Sequence, residues 1–227
     1  MIPVGVLATG QDDSSPPAAD FPQVRSSAIW YDSTAGTSHA VQMPATVVPG
    51  DLLMQIVTIQ EVPTYTVPSG WTVLGYIQQS SAIKTLLLLK VADGSEGGGT
   101  VTFTTGSAAK LAVVTVAVSD WSGTLADVYS AAAGVATVSS VNPPSLSPAP
   151  GSDNYLWLAV CHTYRSYTFT ADPTGFGDVL EAKPGSTTAG ATRVLRREEA
   201  AATLDPSVFT ISGTTWLVGR TVAIRGL

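Results

Sequence analysis

From residue 26 to the C-terminus, short apolar or alternating segments are separated by turn signals at strand-like intervals. The pattern predicts strands over residues 26–31, 39–43, 52–60, 72–78, 83–92, 100–104 and 111–120. In the second half it predicts strands over 128–132, 135–141, 155–164, 167–170, 178–182, 192–199, 208–211 and 215–225. Pro49-Gly50-Asp51, Pro68-Ser69-Gly70, Gly97-Gly98-Gly99, Pro150-Gly151-Ser152 and Pro173-Thr174-Gly175 punctuate them. Residues 193–203 carry Glu and Ala enough to compete as a helix, but they read as a strand running into a loop. Three runs are apolar on both faces: Leu86 to Leu89, Leu111 to Val114, and Leu156 to Val160. A sandwich strand normally alternates apolar and polar residues, so each run needs a cover on its second face. A loop, the N-terminal residues or another subunit could supply it, and this is a first hint of life in an assembly.

The order of turns and strands repeats. Pro49-Gly50-Asp51, Pro68-Ser69-Gly70-Trp71, Val101-Thr102-Phe103-Thr104 and Thr115-Val116-Ala117-Val118 recur as Pro150-Gly151-Ser152, Pro173-Thr174-Gly175-Phe176, Ser207-Val208-Phe209-Thr210 and Thr221-Val222-Ala223-Ile224. The offset is 101 residues at Pro49/Pro150, 105 at Pro68/Pro173 and 106 at Phe103/Phe209, a drift that loop insertions produce. The expected fold is therefore all-β: a large antiparallel, jelly-roll-like β-sandwich with internal duplication of a half of about 100 residues. Two tandem sandwiches are the competing architecture. The short junction 122–128 has no linker composition and favours one body. The division is an N-terminal arm, 1–23, and a β-sandwich domain, 24–227, with pseudo-repeats 26–123 and 127–227. The arm joins an apolar tip, Ile2 to Leu7, to a Gln11-Asp12-Asp13-Ser14-Ser15-Pro16-Pro17 stem, and is expected to pack on a neighbouring chain.

Composition strengthens the all-β reading. The 227 residues include 26 Val and 28 Thr against 5 Glu and 4 Lys; charged residues are 12% and hydrophobic ones 44%. Mean hydropathy is +0.25. Charge this sparse excludes a disordered chain, a coiled coil or a charged helical bundle. Net charge is −6, and the one basic cluster, Arg193, Arg196 and Arg197, is followed at once by Glu198 and Glu199, so nucleic-acid binding is not expected. No apolar run approaches the ~18 residues of a membrane span, and Met1 is not followed by the basic start of a secretory leader, so no membrane insertion is expected. Cys161, the single cysteine, reads as a buried thiol.

Signals for catalysis are poor. Two histidines, His39 and His162, and no Gly-x-Ser-x-Gly, Walker, His-Glu-x-x-His or Cys-x-x-Cys motif leave no catalytic residue, metal site or cofactor to assign. Asp12-Asp13 and Asp120 with Asp127 lack the alternating acids of a calcium loop and read as solvated. Aromatic residues are the remaining lead. Tyr164, Arg165 and Tyr167, in the His162-to-Tyr167 segment between two strands, offer ring faces and a charged fork that suit a sugar or a protein partner. Trp121, in Asp120-Trp121-Ser122-Gly123, either caps the sandwich end or presents a face to ligand. Trp71 and Phe176 occupy equivalent repeat positions and read as core plugs.

Pro49-Gly50-Asp51-Leu52-Leu53, Pro68-Ser69-Gly70-Trp71, Lys90-Val91-Ala92-Asp93-Gly94-Ser95-Glu96, Val101-Thr102-Phe103-Thr104 and Val118-Ser119-Asp120-Trp121-Ser122-Gly123, in that order, resemble a β-sandwich family found in tailed-phage genomes. The resemblance covers residues 26–227 and leaves the arm unmatched. It implies a structural virion protein on the exterior of head or tail, of decoration or fibre type, made in the host cytoplasm and located in the virion. It implies partners among the other capsid or tail subunits, a homo-oligomer such as a trimer, and a host-surface glycan as a further contact. It brings no catalytic residue. A carbohydrate-binding, lectin-like adhesin module is the alternative, favoured by the 162–167 segment.

Overall fold

The structure, a computed structural model, describes residues 20–185 and 188–227. The arm before residue 20 lies outside the described residues. Its last part does not: Pro22 is buried, so the folded domain begins ahead of the boundary at residue 24.

The first half supplies β1 (Gln23–Tyr31), β2 (Gly36–Gln42), β3 (Leu52–Gln60), β4 (Tyr65–Thr66), β5 (Thr72–Gln79), β6 (Ile83–Val91), β7 (Thr100–Ala109) and β8 (Leu111–Ser119). The second supplies β9 (Val128–Val141), β10 (Asp153–Thr163), β11 (Phe169–Ala171), β12 (Gly177–Ala182), β13 (Ala191–Ala201) and β14 (Phe209–Arg225). Every strand pair is antiparallel. The fold is all-β, as the pattern predicts, and residues 193–201 lie in a strand rather than a helix.

Each half builds one large sheet, and the two sheets have the same strand order. The first runs β1-β8-β3-β6-β5; the second runs β9-β14-β10-β13-β12. Each half also carries a smaller outer layer: β2-β7-β4 in the first, and the end of β9, the start of β14 and β11 in the second. The register repeats as well. Leu52 lies between Val91 and Val118, and Leu156 lies between Glu198 and Ile224. The turns repeat in detail. Trp71 N–H donates to the Pro68 carbonyl and Phe176 N–H to the Pro173 carbonyl, with Gly70 at φ +82° and Gly175 at φ +80°. A left-handed residue at the third position is what makes glycine the suitable residue in both turns.

The two large sheets pack face to face. Their shared core holds Leu52, Met54, Ile56, Val114 and Val116 from the first and Leu156, Leu158, Val160, Val194, Val222 and Ile224 from the second. Edge strand β1 lies against β12, and edge strand β5 against β9. Since β1 and β9 hold equivalent places in the two sheets, as do β5 and β12, this exchange is the relation a local two-fold axis gives.

The opposite face of each large sheet is covered by its own half. Val41, Met43, Trp71 and Phe103 cover Leu53, Val57, Leu86 and Leu88. Phe209, Ile211 and Leu217 cover Ala159, Cys161 and Leu195, while Leu204 closes over Tyr155 and Trp157. Of the covers expected for the doubly apolar runs, a loop residue, Leu204, supplies part of one, and strands of the same chain supply the rest. β3, β8 and nearly all of β10 are buried along their length for this reason. The large antiparallel sandwich expected is present in the two large sheets packed face to face, and each half adds an outer layer to it. Each half is a small sandwich with its own outer core, and the two are fused back to back through a third core. The joint is tied at the strand ends, where Trp121 bridges Gly226 and Ser122 N–H donates to the Arg225 carbonyl.

Candidate functional site

The 162–167 segment leaves β10 at the end of the molecule and is tightly anchored. Tyr164 N–H donates to the Trp216 carbonyl, Thr163 Oγ1 to the Arg165 carbonyl, and Ser166 Oγ to the Pro184 carbonyl. Arg165 is exposed, and its guanidinium lies over the Tyr164 ring at 5.7 Å. Tyr164 and Arg165 thus form a preorganised ring-and-fork surface. Tyr167 does not join them: its ring packs on the outer core of the second half and fills the space where a side chain on Gly213 would stand. Trp121 is likewise placed otherwise than a ligand platform requires. It is 3% exposed in the shared core and donates its indole N–H to the Gly50 carbonyl at 2.8 Å. Trp71 and Phe176 both pack into outer cores, at equivalent places.

One arrangement has the order of a hydrolase relay. His39 Nδ1 lies 2.5 Å from Asp32 Oδ2, and Nε2 lies 3.2 Å from Thr105 Oγ1. Sequence reading gave no sign of it, because the three residues sit on a turn, β2 and β7. The hydroxyl donates to the Gly36 carbonyl at 3.3 Å, and the buried imidazole meets the Trp30 ring edge-on. Two surface grooves, of about 540 and 600 Å³, are lined by other residues. The triplet staples the turn after β1 to the outer sheet.

Among the described residues no group of three or more His, Cys, Asp or Glu is placed to hold a metal ion. Asp120 accepts from Ser119 Oγ, and Asp127 accepts from the Tyr129 hydroxyl and pairs with Arg225. The Cys161 thiol is fully buried, and that burial pushes its pKa up, which keeps it protonated and inert. The basic cluster is neutralised by carboxylates: Arg193 pairs with Asp172 and Glu181, Arg196 with Asp178, and Arg197 with Glu199.

The polar residues that sequence reading missed lie between the halves. At one end the shared core turns from aliphatic to polar. Thr58 Oγ1 lies 2.8 Å from His162 Nδ1 and 2.6 Å from Thr192 Oγ1, and Thr192 Oγ1 donates to the Ala112 carbonyl. Arg220, 2% exposed, donates to Ser130 Oγ at 2.8 Å and reaches Thr85 Oγ1 at 3.4 Å; it forms no ion pair among the described residues. Gln60 Nε2 completes the set by donating to the Tyr164 carbonyl at 2.7 Å. The signal available in the sequence was a single Arg within the apolar stretch from Leu217 to Ile224.

Burial, and then the nearby Arg220 charge, hold the His162 pKa well below the ordinary histidine value. The imidazole is therefore neutral in the folded chain. An unfolded chain takes up that proton near pH 6.5 and the folded chain does not. His162's contribution is thus fully present above that pH and declines below it, by at most about 1.4 kcal/mol per pH unit. The midpoint of urea unfolding is expected to fall steadily from pH 7 to pH 5, and His162→Gln is expected to flatten this limb. An unchanged limb in His162→Gln would assign the acid sensitivity to other groups.

No protein-family model, curated protein or solved structure matches the chain.

Proposed function

We propose that the chain is a structural virion protein of a tailed bacteriophage, carried on the exterior of the head or tail, where it acts by assembly and surface attachment. The carrying observation is the fold's division between scaffold and surface. Two large sheets are covered on both faces, which makes a stiff body, and the loops and strand ends it holds are free to carry contacts. Duplication of one half is the proposed origin of the matched strand orders. The resemblance of the Pro-Gly-Asp-Leu-Leu, Pro-Ser-Gly-Trp and Lys-Val-Ala segments to tailed-phage β-sandwich proteins supports the same reading. Its test is gold-labelled antibody against this chain, applied to purified particles of the phage that encodes it. Label on head or tail surface is expected; purified particles free of the chain overturn the proposal.

A lectin-like role for the strand end is the second reading, favoured by Arg165 lying over the Tyr164 ring. If the pair anchors a host glycan or receptor, replacing both by Ala should weaken adsorption by about 2 kcal/mol or more, roughly thirtyfold. Tyr167→Ala should act on stability instead, because its ring is packed on its own sheet. Wild-type adsorption by the double variant moves the contact elsewhere.

A further inference from the structure

The local two-fold relation places two seams on opposite sides of the molecule, each where an edge strand of one half meets an edge strand of the other. The β5–β9 seam is closed. Small inward residues on β9, Ser130, Ala132 and Gly134, let β5 approach, and the Gln79 side chain occupies the space where a side chain on Gly134 would stand.

The β1–β12 seam is open. It contains a groove of about 540 Å³ lined by Val24, Arg25, Ser27, Leu180 and Arg196, among others. The face of β1 turned toward the groove follows from its register. Val24, Ser27, Ile29 and Tyr31 stand opposite Val118, Val116, Val114 and Ala112, all in the shared core. Directly opposed residues share a face of the sheet. Ile29 and Tyr31 therefore lie on the core-forming face, yet they are 45% and 44% exposed. Among the described residues the opposing sheet ends at β12, and neither β1 nor β12 has a second neighbouring strand in its sheet. An apolar strip thus runs along an unpaired strand edge, a combination that invites a further strand.

We propose that this seam receives the apolar tip, Ile2 to Leu7, of the N-terminal arm of a second copy, added antiparallel to β1. The proposal rests on the reading of the chain as an assembly protein. Three observations select this occupant. The tip reads Ile2-Pro3-Val4-Gly5-Val6, with apolar side chains at alternate positions, the period of a strand with one buried face. With Ile2 and Val4 set opposite the exposed Tyr31 and Ile29, the two apolar strips cover one another; Arg25 and Arg196 in the groove are already paired, with Asp51 and Asp178, so this register rests on apolar contact. Lastly, the arm leaves the body at the start of β1, where the Asp20 carbonyl abuts Gly226. The 19 residues before it reach at most roughly 65 Å when extended, against about 30 Å for β1 itself. Ser15-Pro16-Pro17 favours an extended stem over the tight reversal that docking on its own β1 requires, which selects a second copy.

The full-length chain provides the test, because native Cys161 is buried and silent to oxidation. Val4→Cys and Ile29→Cys chains are prepared separately, mixed and mildly oxidised. A disulfide-linked band of twice the chain mass is expected in the mixture and in neither chain alone. Deletion of residues 1–19, or Ile29→Asp with Tyr31→Asp on the exposed strip, should lower the oligomer mass in light scattering without changing the melting temperature. Absence of the mixed band together with an unchanged oligomer mass overturns the proposal. So does a Val4→Cys/Ile29→Cys chain that closes only on itself. Failure of the virion reading looks different: a chain that cross-links in the mixture but is never found on particles sinks that reading and leaves the arm exchange standing.

Discussion

Trp157→Ala is expected to lower the stability of the whole chain by about 3–5 kcal/mol. Trp157 is completely buried, packs against Tyr155 at a ring separation of 5.2 Å, and donates its indole N–H to the Glu199 carbonyl at 3.0 Å. Truncation leaves a cavity the size of an indole and an unpaired carbonyl inside the outer core of the second half. Leu204 and Ala223, which line the site, come from a loop and from a strand held on both sides, so collapse into the space is restricted. Since a domain is stable by only about 5–15 kcal/mol, the loss is a large share of the total. Where the loss is felt is the sharper test. Trp157 lies in an outer core of the second half, and the first half is joined to that half through the shared core. If the back-to-back sandwiches unfold as one unit, slow amide exchange should be lost to the same extent in β3 and in β10. Protection lost in β10 and retained in β3 would mean that the halves open separately and that the third core is a contact between two domains.

The all-β class and most strands were legible because each rests on local pattern. β3 is a mostly apolar run, interrupted at Gln55 and Thr58, between Pro49-Gly50 and Pro63, and its predicted bounds coincide with those observed. β9 and β14 were each read as two strands, since Gly134 and the Ser212-Gly213-Thr214 step look like turns. Both strands continue through them, passing from the large sheet into the outer layer, with register shifts in β14 between Thr210 and Leu217. The first half makes the same passage with true breaks, between β1 and β2 and at Lys110. β4, two residues long, carries no periodic signal.

Partner identity was the quantity least available to sequence reasoning. The run from Leu156 to Val160 states that both faces of a strand are buried, but not what buries them: the other half of the chain covers one face and the strand's own half covers the other. Trp121 illustrates the same limit at a single residue. An aromatic at a strand end reads alike whether it faces ligand or core, and only the hydrogen bond to Gly50 and contact with the shared core separate the two. Ile29 and Tyr31 belong to a segment whose alternation was visible, yet their exposure depends on where the opposing sheet stops.

Arg220→Met is expected to stabilise the chain, by about 1–3 kcal/mol. Among the described residues Arg220 is a buried guanidinium with two hydroxyl acceptors and no carboxylate partner, and its Nε has no hydrogen-bond partner. Burial alone lowers its pKa to about 10, so at neutral pH it is still charged and carries the cost of leaving water. A methionine of similar length removes that cost and keeps most of the packing between β14 and β5. Ser130 is partly exposed and can bond to water in its place. Arg220→Lys should act in the opposite direction, because an ammonium is more strongly hydrated and has no planar fork to span Ser130 and Thr85. His162 supplies a second readout. The Arg220 charge is one of the two causes that hold its pKa down, so its removal should let that pKa rise and make the acid limb of stability shallower. A double-mutant cycle of Arg220→Met with His162→Gln, measured by urea unfolding at pH 7 and pH 5, should therefore give an interaction energy that differs between the two pH values. Additivity at both would mean that the two groups do not sense one another. A loss of stability in Arg220→Met at pH 7 would show that the fork to Ser130 and Thr85 outweighs the cost of burying its charge.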